Sequence, residues 1–160
     1  MSGGGDRSTA AAPSAQPSAI TGRCACGAVR LRLRGPFRPV IGCHCETCRR
    51  QSGHAVAATA VALERLEIEG EDRLASWSAI PGHRRGFCAT CGSLLLWERE
   101  GSGDISVMAG CLDAPTGLRL AAHIFAAEAG DYYTINDPVP VHEGDDRAVL
   151  EVPSERTGAG

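Results

Sequence analysis

Apolar and polar residues alternate with a period of two along much of this chain. Val29, Leu31 and Leu33 alternate with Arg30, Arg32 and Arg34, and the run stops at Gly35-Pro36. Successive side chains of a strand point to opposite faces, so this pattern predicts a half-buried strand. Short apolar runs follow at 55–61, 66–68, 94–97, 105–108 and 123–126. Between them lie turn-forming clusters such as Glu69-Gly70-Glu71-Asp72, Pro81-Gly82 and Gly101-Ser102-Gly103-Asp104. Many short strands punctuated in this way predict a mainly β, antiparallel sheet protein. Two short stretches, 46–51 and 115–120, are the helical candidates.

The ends of the chain read differently. Residues 1–19 are mostly Ser, Gly, Ala and Pro with almost no large apolar side chain, and 153–160 are similar. Such segments bury too little surface to offset the entropy of ordering, so both are expected to be disordered tails around one domain at 20–152. Aromatics make up only 4% of the 160 residues, so the core must rest on Val, Leu, Ile and Ala.

Charge narrows the choice of partner. The net charge is −3, which argues against nucleic acid or an anionic membrane surface, both of which need a basic footprint. All 16 basic residues apart from histidine are Arg, which excludes Schiff-base chemistry on a lysine. The first twenty residues lack the basic and apolar regions of a secretory signal, and no run approaches a membrane span. The expectation is a cytoplasmic protein, and there clustered cysteines are metal ligands more often than disulfides.

Seven of the eight cysteines are clustered. Cys24-Ala25-Cys26-Gly27 and Cys88-Ala89-Thr90-Cys91-Gly92 are each a cysteine pair closed by glycine and followed by a strand. A glycine there permits the tight turn that aims backbone N–H groups at thiolate sulfurs. Cys24, Cys26, Cys88 and Cys91 therefore form the complement of a tetrahedral structural zinc site. A redox dithiol at Cys88 and Cys91 would be expected within a βαβ pattern, and none surrounds it.

The second cluster, Cys43-His44-Cys45-Glu46-Thr47-Cys48, packs three cysteines into six residues. Three protein ligands with a vacant position are typical of a catalytic zinc. Alternatively His44, His54, His123 or Cys111 closes the site as a fourth ligand, with the open site the preferred reading. Zinc with three thiolates carries a charge near −1, which Arg49 and Arg50 could balance while attracting an anionic substrate. His83-Arg84-Arg85, just ahead of Cys88, could offset the four-cysteine site. Glu46 is the one carboxylate inside the loop and a candidate proton acceptor.

These landmarks, taken in order, resemble the glutathione-dependent formaldehyde-activating enzyme family, whose domain is shared with centromere protein V. The likeness is carried by Gly22-Arg23-Cys24-Ala25-Cys26-Gly27, Cys43-His44-Cys45-Glu46-Thr47-Cys48-Arg49-Arg50, Arg85-Gly86-Phe87-Cys88-Ala89-Thr90-Cys91-Gly92-Ser93, Gly110-Cys111-Leu112-Asp113 and His123-Ile124-Phe125. The resemblance implies an Mss4-like β fold, a structural zinc at the four-cysteine set and a catalytic zinc at Cys43, Cys45 and Cys48. It implies a carbon–sulfur lyase that forms S-(hydroxymethyl)glutathione from glutathione and formaldehyde. One departure stands out: where many relatives carry a Lys and then a Trp, this chain reads Ala126-Ala127-Glu128-Ala129-Gly130-Asp131-Tyr132-Tyr133.

The leading expectation is thus a two-zinc enzyme acting on a small thiol and an aldehyde. The alternatives are a non-enzymatic zinc module for protein interaction and a thiol or redox sensor using the three-cysteine cluster.

Overall fold

The computed structural model describes residues 16–154. Its strands are β1 (Ala19–Arg23), β2 (Arg30–Arg34), β3 (Val40–Cys43), β4 (Val56–Ala62), β5 (Leu66–Glu69), β6 (Leu74–Trp77), β7 (His83–Cys88), β8 (Leu94–Arg99), β9 (Asp104–Met108) and β10 (Leu120–Ile124). Two short helices, α1 (Glu46–Ser52) and α2 (Arg147–Leu150), complete the regular elements, apart from single 3₁₀ turns. Most of both expected tails lies outside the described residues, while Ala19, assigned to the first tail, already belongs to β1.

Among the described residues the strands form two sheets, β1-β2-β5 and β10-β3-β4-β9-β8-β7-β6. Every pairing between these strands is antiparallel except that of β10 with β3. The alternation in β2 does what its period demands. Leu31 and Leu33 point inward opposite Ile68 and Leu66, and the three arginines point out. The core lies between the sheets, where Ile20, Val29, Leu31, Leu33 and Phe37 meet Val61, Leu95, Leu96, Ile105 and Val107. Burying a Leu or Val side chain contributes about 1.5–3 kcal/mol, so this aliphatic set holds the sandwich together with few aromatics.

A smaller apolar cluster matters more for function. Ile41, Ala122 and Ile124 are buried with Cys43, Phe125, Val149 and Leu150 packed on them, on the other face of the large sheet. Residues 115–120, expected to be helical, are not. Pro115 and Gly117 interrupt the stretch, Gly117 has a φ of +67°, and Leu120 opens β10 instead. Strands β1, β6 and β7 were not legible as apolar runs. Their sequences, AITGR, LASW and HRRGFC, mix small and charged residues and acquire extended structure through pairing with neighbours.

Candidate metal centres

The two glycine-closed knuckles meet at one end of the fold. The sulfurs of Cys24, Cys26, Cys88 and Cys91 all lie within 4.8 Å of one another. Cys24 and Cys26 Sγ are 3.5 Å apart, and Cys26 and Cys88 Sγ are 3.8 Å apart. A tetrahedral ion with metal–sulfur bonds of about 2.3 Å sets its sulfurs about 3.8 Å apart, so the donor set fits such an ion. All four are free thiols rather than disulfides.

Both knuckles are built alike. In the first, Gly27 N–H donates to Cys24 O and Cys24 N–H donates to Val29 O, each at 3.0 Å. In the second, Gly92 N–H donates to Cys88 O at 2.8 Å and Cys88 N–H to Ser93 O at 3.0 Å. Gly27 and Gly92 have φ values of +77° and +76°, which favour glycine. Val29 N–H also donates to Cys24 Sγ at 3.2 Å. Ser93 ties the halves together: its hydroxyl accepts from Ala25 N–H at 3.0 Å and lies 3.2 Å from Cys91 Sγ. That hydrogen bond holds the Cys91 thiol low, at about 5. A cleft of about 430 Å³ lies alongside, lined in part by Cys24, Ser93 and Cys111.

The three-cysteine cluster sits where β3 ends and α1 begins. Cys43 closes β3, and Cys45 caps α1 by accepting the Cys48 N–H at 3.4 Å. This turn gathers the sulfurs of Cys43, Cys45 and Cys48 within 4.8 Å of one another. Hydrogen bonding to Cys45 raises the Cys43 thiol well above the ordinary range, and the same contact lowers Cys45 to about 2. Thiolates this close together disfavour one another, and a cation among them would favour the ionised form. The cluster fits a metal with three thiolate ligands.

The candidate fourth ligands go elsewhere. His44 is buried, with its Nδ1 2.5 Å from the Tyr133 hydroxyl and its Nε2 2.8 Å from His123 Nδ1. His123 is also buried and places its Nε2 2.9 Å from the Asp137 carboxylate. Both nitrogens of both rings are thus occupied. Cys111 donates to Met108 O at 3.0 Å on the side of the four-cysteine set, and burial pushes its thiol up to about 12. His54 is exposed, with Nδ1 3.4 Å from the Tyr132 hydroxyl. Among the described residues, no other His, Cys, Asp or Glu joins the group of Cys43, Cys45 and Cys48.

Cations surround this centre unequally. Arg50 Nε pairs with Glu46 Oε1 at 2.9 Å across one exposed turn of α1, an arrangement worth about 0.3–0.5 kcal/mol. Arg49 Nε donates to Glu128 O at 2.8 Å, and the Glu128 carboxylate accepts the Glu46 N–H at 2.7 Å. Glu128 thereby clasps the start of α1, where a negative charge is favourable.

Arg85 differs from both. Sheet register aligns Arg85 with Trp97, Ser106 and Ala60, and aligns Ala58 with Ile41. Side chains two apart share a face, so Arg85 lies on the face of Cys43. Its guanidinium is buried beside the Trp77 ring, 5.9 Å from the centroid. Its charge favours the thiolates of Cys45 and Cys48, but as the weakest influence on each: the contact with Cys43 is what chiefly lowers Cys45, and Cys48 stays raised overall by Cys45 and burial. Its Nη1 has no hydrogen-bond partner among the described residues. Proximity in sequence associates Arg85 with the four-cysteine set; strand alternation gives it to the other.

Glu128, Tyr133 and Asp137 were missed as site residues. They come from the segment after β10, which turns back over the cysteine loop. His44 N–H donates to Ile124 O at 3.0 Å, and Phe125 turns the chain with a φ of +55°. No local motif marks these residues; only the departure from the family pattern at 126–133 pointed to this stretch.

A family model described as glutathione-dependent formaldehyde-activating enzyme matches residues 19–128. The chain belongs to this family. Membership supports a formaldehyde-activating kind of enzyme function in general terms. The family match contains both cysteine clusters, His44 and His123, and ends before Tyr133 and Asp137. The crystal structure of a Rhodobacter sphaeroides protein is similar at 22% identity and a TM-score of 0.53, covering 76% of this chain and 98% of its own. That likeness shows the mainly β fold. A search among curated proteins finds no match. No helix among the described residues is long and apolar enough to cross a membrane.

Proposed function

We propose that this protein is a zinc-dependent enzyme of the carbon–sulfur lyase type that adds a small thiol, glutathione or a similar molecule, to an aldehyde such as formaldehyde. Cys24, Cys26, Cys88 and Cys91 hold a structural zinc, and Cys43, Cys45 and Cys48 hold a catalytic one. The observation that carries this reading is the three-sulfur set whose histidine neighbours have committed both ring nitrogens to each other and to Tyr133 and Asp137. A closed structural site would recruit one of those rings; this one leaves its fourth position to a ligand.

When bound, the metal supplies a Lewis-acidic position that favours the thiolate form of an incoming thiol. The chain's residues do the rest. Arg85 lies buried near the sulfurs and offsets their negative charge. In this reading Arg49 and Arg50, whose Nε atoms are held by Glu128 O and Glu46, offer their remaining guanidinium N–H groups to a carboxylate of an acidic thiol. In the addition the thiol sulfur bonds to the aldehyde carbon, the C=O double bond becomes a C–O single bond, and the thiol proton ends on that oxygen. Atoms and electrons balance without an oxidant.

Titration of cobalt-substituted protein with glutathione tests the proposal. The cobalt–thiolate spectrum should change saturably. An unchanged spectrum with every thiol tried would favour the closed interaction module instead.

A further inference from the structure

The two sheets of the sandwich are unequal, three strands against seven, and the smaller one ends at β5. Where it ends, a groove of about 390 Å³ opens between the sheets. Leu66 and Ile68 of β5 wall one side, and Leu74, Leu96 and Ile105 of the large sheet wall the other. Glu71, Ser76 and the Arg84–Glu98 ion pair supply its polar lining.

The strands β2 and β5 show what a missing neighbour changes. Leu31 and Leu33 of β2, with a strand on either side, are 3% and 0% exposed. Leu66 and Ile68 are their register partners, yet they are only half-buried, because no described strand pairs with the other side of β5. Such an edge offers a row of backbone N–H and C=O groups, a template for one more strand.

The side chains say which strand. Leu66 and Ile68 face the groove, and Glu67 and Glu69 between and beyond them are exposed. On its paired side β5 already accepts the matching alternation. Leu33 and Leu31 lie opposite Leu66 and Ile68, and Arg32 and Arg30 lie opposite Glu67 and Glu69. Arg34 engages Glu67, whereas Glu69 and Glu71 have no ion-pair partner among the described residues. A second copy of β5 does not suit this edge. Paired antiparallel, two copies set glutamate against glutamate or glutamate against leucine and isoleucine, and both are unfavourable. Residues 1–15 and 155–160 of the chain carry no apolar–basic alternation either.

We infer that the free edge of β5 docks an extended segment of another protein in which apolar side chains alternate with arginine or lysine. The segment adds a fourth strand to the small sheet. Its apolar residues fill the groove over Leu74 and Leu96, and its basic residues meet the glutamates of β5. Arg84 and Gly86 line the groove while Arg85 between them lies on the face of Cys43, so the docking surface is separate from the reaction proposed above.

A synthetic peptide with the sequence of residues 28–34, which supplies the alternation of β2, is the probe. Added to the zinc-loaded full chain, it should bind saturably and slow the exchange of the backbone amides of 66–69. Amide signals of Leu74, Ser76 and Gly86, across the groove, should shift with them. A peptide of the same composition, with its leucines and arginines grouped instead of alternating, should bind far more weakly. The double variant Glu69→Lys, Glu71→Lys changes two exposed residues and should weaken binding by about tenfold, as attractive contacts become repulsive. Its zinc content and its amide spectrum away from β5 report that it is folded. No binding at millimolar peptide, equal binding of the grouped peptide, or unchanged binding by the double variant would each overturn the proposal. So would shifts confined to β1 and β2, which mark strand exchange, or a dimer of the chain alone that protects 66–69. Binding of an aliphatic probe such as decanoate in the groove without binding of the peptide would replace the docking site with a small-molecule pocket.

Discussion

Gly42 and His123 sit opposite each other across the parallel β3–β10 pair, so close that a Cβ on Gly42 would lie 2.7 Å from His123 Nδ1. Gly42 is therefore the clearance that lets His123 reach His44 beside the cysteine loop. Gly42→Ala should push the His123 ring away, break its contact with His44, and cost about 1–3 kcal/mol through overpacking. Urea unfolding of the metal-loaded protein checks the stability, and ¹⁵N–¹H spectra of the imidazole rings check the His44–His123 contact.

The two cysteine sets should fail in different ways. Protein purified without chelator should carry about two zinc ions per chain by metal analysis, from the four- and three-sulfur groups. Cys88 is fully buried and joins distant strands, so Cys88→Ser should lower soluble yield and the unfolding midpoint sharply. Cys43→Ser should leave a folded chain with close to one zinc. Equal unfolding of both variants would remove the distinction between a structural and a catalytic site.

Ser93 is bound to both knuckles through Ala25 N–H and Cys91 Sγ. Outer hydrogen bonds of this kind orient metal ligands, and losing one costs about 10–100-fold in metal affinity. Ser93→Ala should show that loss in competition with a chromophoric chelator. The three-cysteine site should be unaffected.

Arg85→Gln should have the opposite selectivity. Its buried guanidinium lies on the face of the three-cysteine set, where three thiolates around a divalent ion would leave a net negative charge. Removing the cation should weaken metal retention there by about tenfold, equal to about 1.4 kcal/mol, and leave the other site intact. Stepwise chelation followed by metal analysis separates the two populations.

How much of this was legible in the sequence depended on range. The arginine–leucine alternation of β2 gave its strand and its buried face directly, because period two is a local property. Both cysteine groupings followed from spacing and from the glycines that close the knuckles. What escaped was whatever tertiary register decides. Arg85 lies three residues from Cys88, yet its charge acts on Cys45 and Cys48, and five paired strands separate that fact from the sequence. Asp137 and Tyr133 lie 14 and 10 positions after His123 in an irregular segment, with no periodicity to announce them. The expected helix at 115–120 failed for a local reason, since Pro115 and Gly117 were there to be weighed.

The knuckles also bear on how the chain is held together without disulfides. Cys26 and Cys88 are 62 positions apart, so an ion gripping both knuckles ties off a loop taking in most of the first half of the domain. Closing a flexible loop of that length costs an unfolded chain about 3–4 kcal/mol in entropy, and each doubling adds only about 0.6 kcal/mol. An ion held in the folded state and retained by the thiolates during transient opening works as a cross-link with that reach. Unlike a disulfide, it withstands reductants such as free thiols and yields to chelators. Under the proposed function, which makes a thiol the substrate, such an ion would fasten the chain by a bond that thiol–disulfide exchange cannot cut.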